Sequence, residues 1–247
     1  MITKNFERLQ AEVVAHVAAD RVAQGSYESC FIGCLANGRD DPGFIENEYG
    51  IPLMVTRIAE SIFEGLPADE APAFFAAIPQ AVACDGKDLS RVGWKFLAAD
   101  LRALPPVPDD IQAAIDPVIE GMDLLADGKK WSEAVADATC SSEAVLSASD
   151  VANFVARATA RDAWLAARAD ATFWPASAAT RAAWSADDAV CCAANTAYAN
   201  AYANANADAA GAGADAKAAV YYAARRRQRD ILLRLIKEAP INTQEEN

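Results

Sequence analysis

Hydrophobic positions recur at three- and four-residue intervals from the start of the chain, and that spacing predicts helices. Phe6, Leu9, Val13 and Val17 form one apolar stripe, with Gly25-Ser26 as its expected end. Ser29-Cys30-Phe31-Ile32-Gly33-Cys34-Leu35 suits a short helix, and Asn37 to Gly43 is dense turn chemistry. Pro52 fits the first turn of a helix over Leu53 to Glu64, whose face is Val55, Ile58, Ala59, Ile62 and Phe63. A helix from about Asp69 to Ile78 follows, with Pro79 near its end. Asp88 or Ser90 suits the cap of a helix to Leu104, carrying Val92, Phe96, Leu97 and Leu101. Pro105 to Pro108 is a stiff break. Asp109-Asp110 then opens a helix through Ile115, Val118, Ile119, Met122 and Leu125, stopped by Gly128. Ser132 can cap a shorter helix over 133–140.

From about Ser149 the pattern changes. Nearly half of residues 151–224 are alanine, which favours helix strongly, and nothing there reads as a strand. Trp164, Trp174 and Trp184 are spaced ten apart, Pro175 suits a helix start, and Ser185 with Asp188 suits a capping box. Whether 175–210 is one helix or two stays open. A last helix is expected from about Asp215 to Glu238, edged by Ile231, Leu232, Leu235 and Ile236. The expected fold is all-α: a multi-helix bundle of about eight to ten helices with long alanine-rich C-terminal helices. It divides into an acidic helical part (1–148), an alanine-rich helical part packed on it (149–239) and a frayed tail (240–247).

Composition narrows the class. Alanine makes up roughly a quarter of the 247 residues, and hydrophobic residues reach 53% with only 8% aromatics. The chain is too apolar for disorder and has no uncharged apolar run of about 18 residues, so no membrane span is expected. Its start lacks a signal core, and a cytoplasmic location is the expectation. The formal net charge is −13. Residues 1–150 carry about −14 and 151–247 about +1, despite a basic run at Arg225, Arg226, Arg227 and Arg229. An acidic chain is a poor general coat for nucleic acid.

The chemistry-bearing residues are sparse. Six cysteines (Cys30, Cys34, Cys84, Cys140, Cys191 and Cys192) lack the spacing of a disulfide framework and read as reduced and mostly buried. Cys30 and Cys34 are the one close pair able to share a face. No second pair matches them, so core packing is the reading preferred to zinc, and no metal or cofactor is expected. His16, the lone histidine, sits near the first apolar stripe and reads as structural. The acidic pairs Asp40-Asp41, Asp109-Asp110 and Asp187-Asp188 suit turns and caps. Asp85-Gly86-Lys87-Asp88 lacks the other ligands of a calcium loop. There is no phosphate-binding glycine loop, nucleophile elbow or His-Glu-x-x-His. The arginine run can meet phosphates or an acidic partner, but it also has the acidic first half of its own chain to pair with. Asn195, Asn200 and Asn204, with Tyr198 and Tyr202, have weak helix propensity or large rings in an alanine-rich setting, and suit a partner surface.

Cys30-Phe31-Ile32-Gly33-Cys34, Tyr49-Gly50-Ile51-Pro52, Phe63-Glu64-Gly65-Leu66-Pro67 and Ala77-Ile78-Pro79 occur in an order that resembles a group of bacterial and prophage hypothetical proteins with alanine-rich tails. The tail is also similar in composition to immunity proteins of bacterial toxin systems. The first resemblance carries over no catalytic residue. The second implies a protein that acts by occupying a partner. The reading ranked first is therefore a non-enzymatic inhibitor or immunity-type protein. It would bind a basic protein (a toxin, nuclease or defence effector) through an acidic surface that includes Asp40 and Asp41, or through the Tyr/Asn face. The alternatives are an enzyme or small-molecule binder with a site between the two helical parts, near Cys30, Cys34 and Trp94, and a self-associating structural protein, which would be a homo-oligomer.

Overall fold

The structure, a computed structural model, describes residues 1–26, 28–104, 106, 109–129 and 214–242. These residues form eight helices and no strand: α1 (Phe6–Ala18), α2 (Phe31–Leu35), α3 (Pro42–Tyr49), α4 (Leu53–Gly65), α5 (Ala71–Val82), α6 (Val92–Arg102), α7 (Asp109–Ala126) and α8 (Ala214–Glu238). The chain is all-α in its described part, as its periodicity predicts. The helix expected over 133–140 and the alanine-rich stretch 151–213 lie outside the described residues.

The apolar stripes read from sequence are the buried faces. On α4, Val55, Ile58, Ala59, Ile62 and Phe63 are all buried, and on α6 so are Val92, Phe96, Leu97 and Leu101. Helix α4 is the hub, packing against α2, α3, α5, α6 and α8. Phe31, the first residue of α2, sits among Phe63, Phe74 and Phe75, with ring centroids 6.3, 6.2 and 5.6 Å away and the last pair edge to face. Edge-to-face and offset rings at this spacing add to simple area burial, so this cluster ties α2 to α4 and α5.

Two elements differ from expectation. Helix α1 ends at Ala18, well before Gly25-Ser26, because the stripe runs out: Val17 is 38% exposed, and Asp20 turns the chain at φ 52°. Helix α3 forms inside what reads as turn chemistry. Asp41 Oδ1 accepts from Phe44 N at 3.0 Å, Pro42 occupies the first turn, and Gly50 closes the helix at φ 68°. Only Ile45 and Tyr49 on α3 are buried, too short a stripe to register as a period. Gly50 cannot be replaced freely, since a Cβ there would run into the Ile2 carbonyl.

Both ends of the described chain meet at the loop between α5 and α6. Thr3 N donates to Lys87 O at 2.8 Å and Gly86 N to Thr3 O at 2.8 Å. From the other side, Asp88 N donates to Pro240 O at 2.7 Å and Asn242 N to Gly86 O at 2.8 Å. Residues 240–242, the start of the expected tail, are thus held in place. At the centre is Lys87, only 4% exposed. Its Nζ donates to Ala81 O at 3.0 Å and to Lys237 O at 2.9 Å. These carbonyls belong to the last turns of α5 and α8, where unsatisfied acceptors and the helix dipole favour a cation.

Lys87→Met keeps the side-chain stem and removes the ammonium. It should lower stability by about 2 kcal/mol, since charge-assisted hydrogen bonds to buried carbonyls are lost. A melting temperature unchanged by this substitution would show that the clasp carries no stability. The opposite sign is expected at Thr56, which is fully buried with its hydroxyl unpartnered, beside a small apolar gap lined also by Phe31 and Ile236. Thr56→Val should raise the melting temperature by about 3 °C, because an orphaned hydroxyl costs about 1 kcal/mol or more.

Candidate functional site

Helix α4 has a second face. Glu60 and Glu64 lie one turn apart on it, opposite the loop that leads into α2. Glu60 Oε2 accepts from Ile32 N at 3.0 Å, and Glu64 Oε2 accepts from Gly25 N at 2.9 Å. Cys30 is the N-cap of α2, where its Sγ accepts from Gly33 N at 3.3 Å. Its thiol also hydrogen-bonds Glu60. The ligand atoms of Cys30, Glu60 and Glu64 all lie within 4.8 Å of one another. Cys30 is buried, Glu60 half-buried and Glu64 exposed. Neighbouring Cys34 is buried and directs its Sγ to Ser29 O at 3.3 Å.

The electrostatics of this cluster run one way. Burial pushes Glu60 up to about 7, and the nearby Glu64 adds to the rise. Burial and the Glu60 charge push the Cys30 thiol to about 12 and Cys34 to about 11. Arg57 acts against this at Glu60, but its guanidinium also meets Asp40 Oδ1 at 3.1 Å. At neutral pH Cys30 is therefore a thiol, which makes it a poor nucleophile.

A second polar cluster forms where α8 crosses the body. Arg226 Nε donates to Glu70 Oε1 at 2.8 Å and Arg229 Nη1 to Glu70 Oε2 at 3.0 Å. These two arginines hold Glu70 below the usual carboxylate range, Arg226 first by its hydrogen bonds. Deeper in, Gln228 Nε2 donates to Asp100 Oδ2 at 2.9 Å, and Arg225 Nη1 donates to Gln228 Oε1 at 3.2 Å. Arg225 also stacks on Tyr221, 5.2 Å from the ring centroid, and lies against Gly65, where any Cβ would collide with its guanidinium. Asp100 is 2% exposed, and burial pushes it up to about 6 despite Gln228, Arg227 and Arg225.

The arginine run read from sequence as a possible phosphate or acidic-partner contact thus faces its own molecule at Arg225, Arg226 and Arg229. Arg227 is half-buried, and its charge acts on Asp100. Asp40 and Asp41 are also engaged internally, one with Arg57 and one as the cap of α3. Asn195, Tyr198, Asn200, Tyr202 and Asn204 lie outside the described residues, as do Cys140, Cys191, Cys192 and Asp187-Asp188. Trp94 is buried on α6. Sequence spacing does not bring Glu60, Glu64, Glu70, Asp100 or Gln228 to notice. A signal exists for Asp100, which follows Val92 and Phe96 at four-residue steps and so falls on the buried stripe of α6.

A third feature is the outer face of α7. Asp109, Asp116, Glu120, Asp123 and Asp127 succeed one another at helical intervals, while Ile115, Val118, Ile119 and Met122 are buried. The helix contains no Lys, Arg or His. Arg102 pairs with Asp123, and Lys129 with Asp127 at 3.0 Å. No helix among the described residues is long and apolar enough to cross a membrane. Compared with known proteins, the chain matches no family model, no curated sequence and no solved structure.

The Asp100 site gives a pH signature. A carboxyl whose folded pKa lies above its unfolded value stabilises the fold while protonated, and that contribution is lost as pH rises through the folded value. Wild type should lose stability relative to Asp100→Asn between pH about 4 and pH about 6, by on the order of 2 kcal/mol. Denaturant melts of both proteins across this range test it. A stability difference that stays flat with pH would mean Asp100 titrates normally.

Proposed function

We propose that the protein is a non-enzymatic binding protein that acts by occupying a basic protein partner. The observation that carries this reading is the acidic outer face of α7. Its carboxylates line one side of a helix whose other side is fixed in the core, so they are presented on a rigid support. Asp109, Asp116 and Glu120 form no ion pair among the described residues. A row of like charges costs stability in the free protein, and a positive partner surface relieves that cost. The immunity-type role suggested by the alanine-rich tail is one setting for such a surface; inhibition of a nuclease or a defence effector is another. Association driven this way is fast and falls steeply with ionic strength.

The test compares the full chain with a variant carrying Asp109→Asn, Asp116→Asn, Glu120→Gln, Asp123→Asn and Asp127→Asn. All five positions lie on the outer face, so the fold should be retained, as circular dichroism would check. Both proteins are used as bait in host lysate at low and at moderate salt. The wild type should retain a basic protein in stoichiometric amount at low salt and release it as salt rises. The variant should retain at least about tenfold less, since several weak surface contacts are lost together. A stoichiometric partner held equally by the variant, or held equally at both salt levels, would overturn the acidic-face reading. So would the absence of any stoichiometric partner.

A further inference from the structure

The thiol and carboxylates around the start of α2 are gathered from different parts of the chain, and Arg57 is the cation whose charge acts on Glu60. Cys30, Glu60 and Glu64 come from two elements, and neither element alone makes a ligand set. Phe31 locks α2 into the aromatic core beside α4 and α5, which fixes Cys30 above the face of α4 that carries both glutamates. Glu60 Oε2 accepts from Ile32 N in the first turn of α2 and Glu64 Oε2 from Gly25 N in the preceding loop, so the cluster orients its carboxylates before any ligand arrives. Such hydrogen bonds to ligating carboxylates are the outer support that metal sites require.

We infer that Cys30 Sγ and one carboxylate oxygen each of Glu60 and Glu64 form a three-ligand site for a divalent cation of the zinc class, with a further position open to water. The three ligand atoms now lie within 4.8 Å of one another, and a tetrahedral shell needs about 3.5 Å between ligands. Side-chain movements of about an ångström close that gap without moving either helix. The donor set selects the ion. A thiolate disfavours calcium and magnesium, which take oxygen ligands, whereas one sulfur with two oxygens suits a borderline-soft ion. Glu64 is exposed, which gives the ion a way in, and buried Cys30 closes the far side. The thiol proton and any proton on Glu60 leave to solvent as the ion binds, and no electron changes hands.

The inference is independent of the partner reading and is tested without a partner. The full chain, kept reduced and stripped by a chelator, is titrated with Co²⁺ and then with Zn²⁺. One Co²⁺ per chain should bind with a thiolate-to-cobalt absorption band, and Zn²⁺ should displace it. Zn²⁺ at roughly a hundredfold above its dissociation constant should raise the melting temperature by about 5 °C or more. Cys30→Ser should abolish the band. Glu64→Gln changes an exposed side chain, so the metal-free protein should melt as wild type while its Co²⁺ affinity falls at least about tenfold. A titration with no thiolate band overturns the inference. A band that survives Cys30→Ser also overturns it, because the ion then sits at another cysteine. Glu64→Gln binding Co²⁺ as tightly as wild type does the same.

Discussion

The described fold depends on laying an arginine-rich helix against an apolar core. Helix α8 buries Ala224, Leu232 and Ile236, but Arg225 and Gln228 lie on the same inward side and are buried with them. Charges in such a place are tolerable only where hydrogen bonds and counter-charges replace water. The body supplies them at defined points. Glu70, just before α5, takes Arg226 and Arg229; Asp100 on α6 takes Gln228; the bare backbone at Gly65 makes room for the Arg225 guanidinium; and Lys87 closes the end of the helix. These polar contacts specify where α8 lies along its axis. The apolar contacts alone would permit sliding by a turn, since a helix dotted with small residues offers similar surface at each step.

Helix α4 makes both polar clusters possible because it is used on more than one side. Its apolar stripe enters the core, its Glu60 and Glu64 edge faces the start of α2, and its last residue, Gly65, receives Arg225 from α8. The two clusters have opposite character. Around α8, Arg226 and Arg229 meet Glu70 and hold it below the usual carboxylate range. Around Cys30 the groups are anions or their protonated forms, with Arg57 shared between Glu60 and Asp40. The first cluster joins α8 to the body, and the second joins the start of α2 to α4.

Long periodic segments were legible in the sequence because their burial is one-sided. The stripes of α4, α6 and α7 predict both the helices and the faces that pack. Helix α3 was hidden because eight residues with two buried side chains carry too little period to outweigh a turn-rich composition. The pairing of the arginine run with acids of the first half was expected in kind, but Glu70 and Asp100 could not be named, since each is more than a hundred residues from its partner. Cys30 and Glu60 are closer in sequence but on separate elements, and only the packing of α2 on α4 brings them together. Spacing along the chain sets Cys30 beside Cys34, whereas the carboxylates that face Cys30 in the fold belong to α4. Lys87 was hidden for a further reason: a lysine in a loop reads as solvated, and its burial follows from two helix ends converging on it.

Among the described residues, much of the positive charge is engaged inside the fold. The chain has 22 Lys and Arg against 35 Asp and Glu. Several of its scarce cations are directed inward or to internal partners: Arg57 to Asp40, Lys87 to backbone carbonyls, Arg225 to Gln228, Arg226 and Arg229 to Glu70. Lys87 in particular consumes no carboxylate in doing so, since its acceptors are backbone carbonyls. Helix α7 has no Lys or Arg of its own. Along α7 and its end, Asp123 and Asp127 meet Arg102 and Lys129, while Asp109, Asp116 and Glu120 form no ion pair among the described residues.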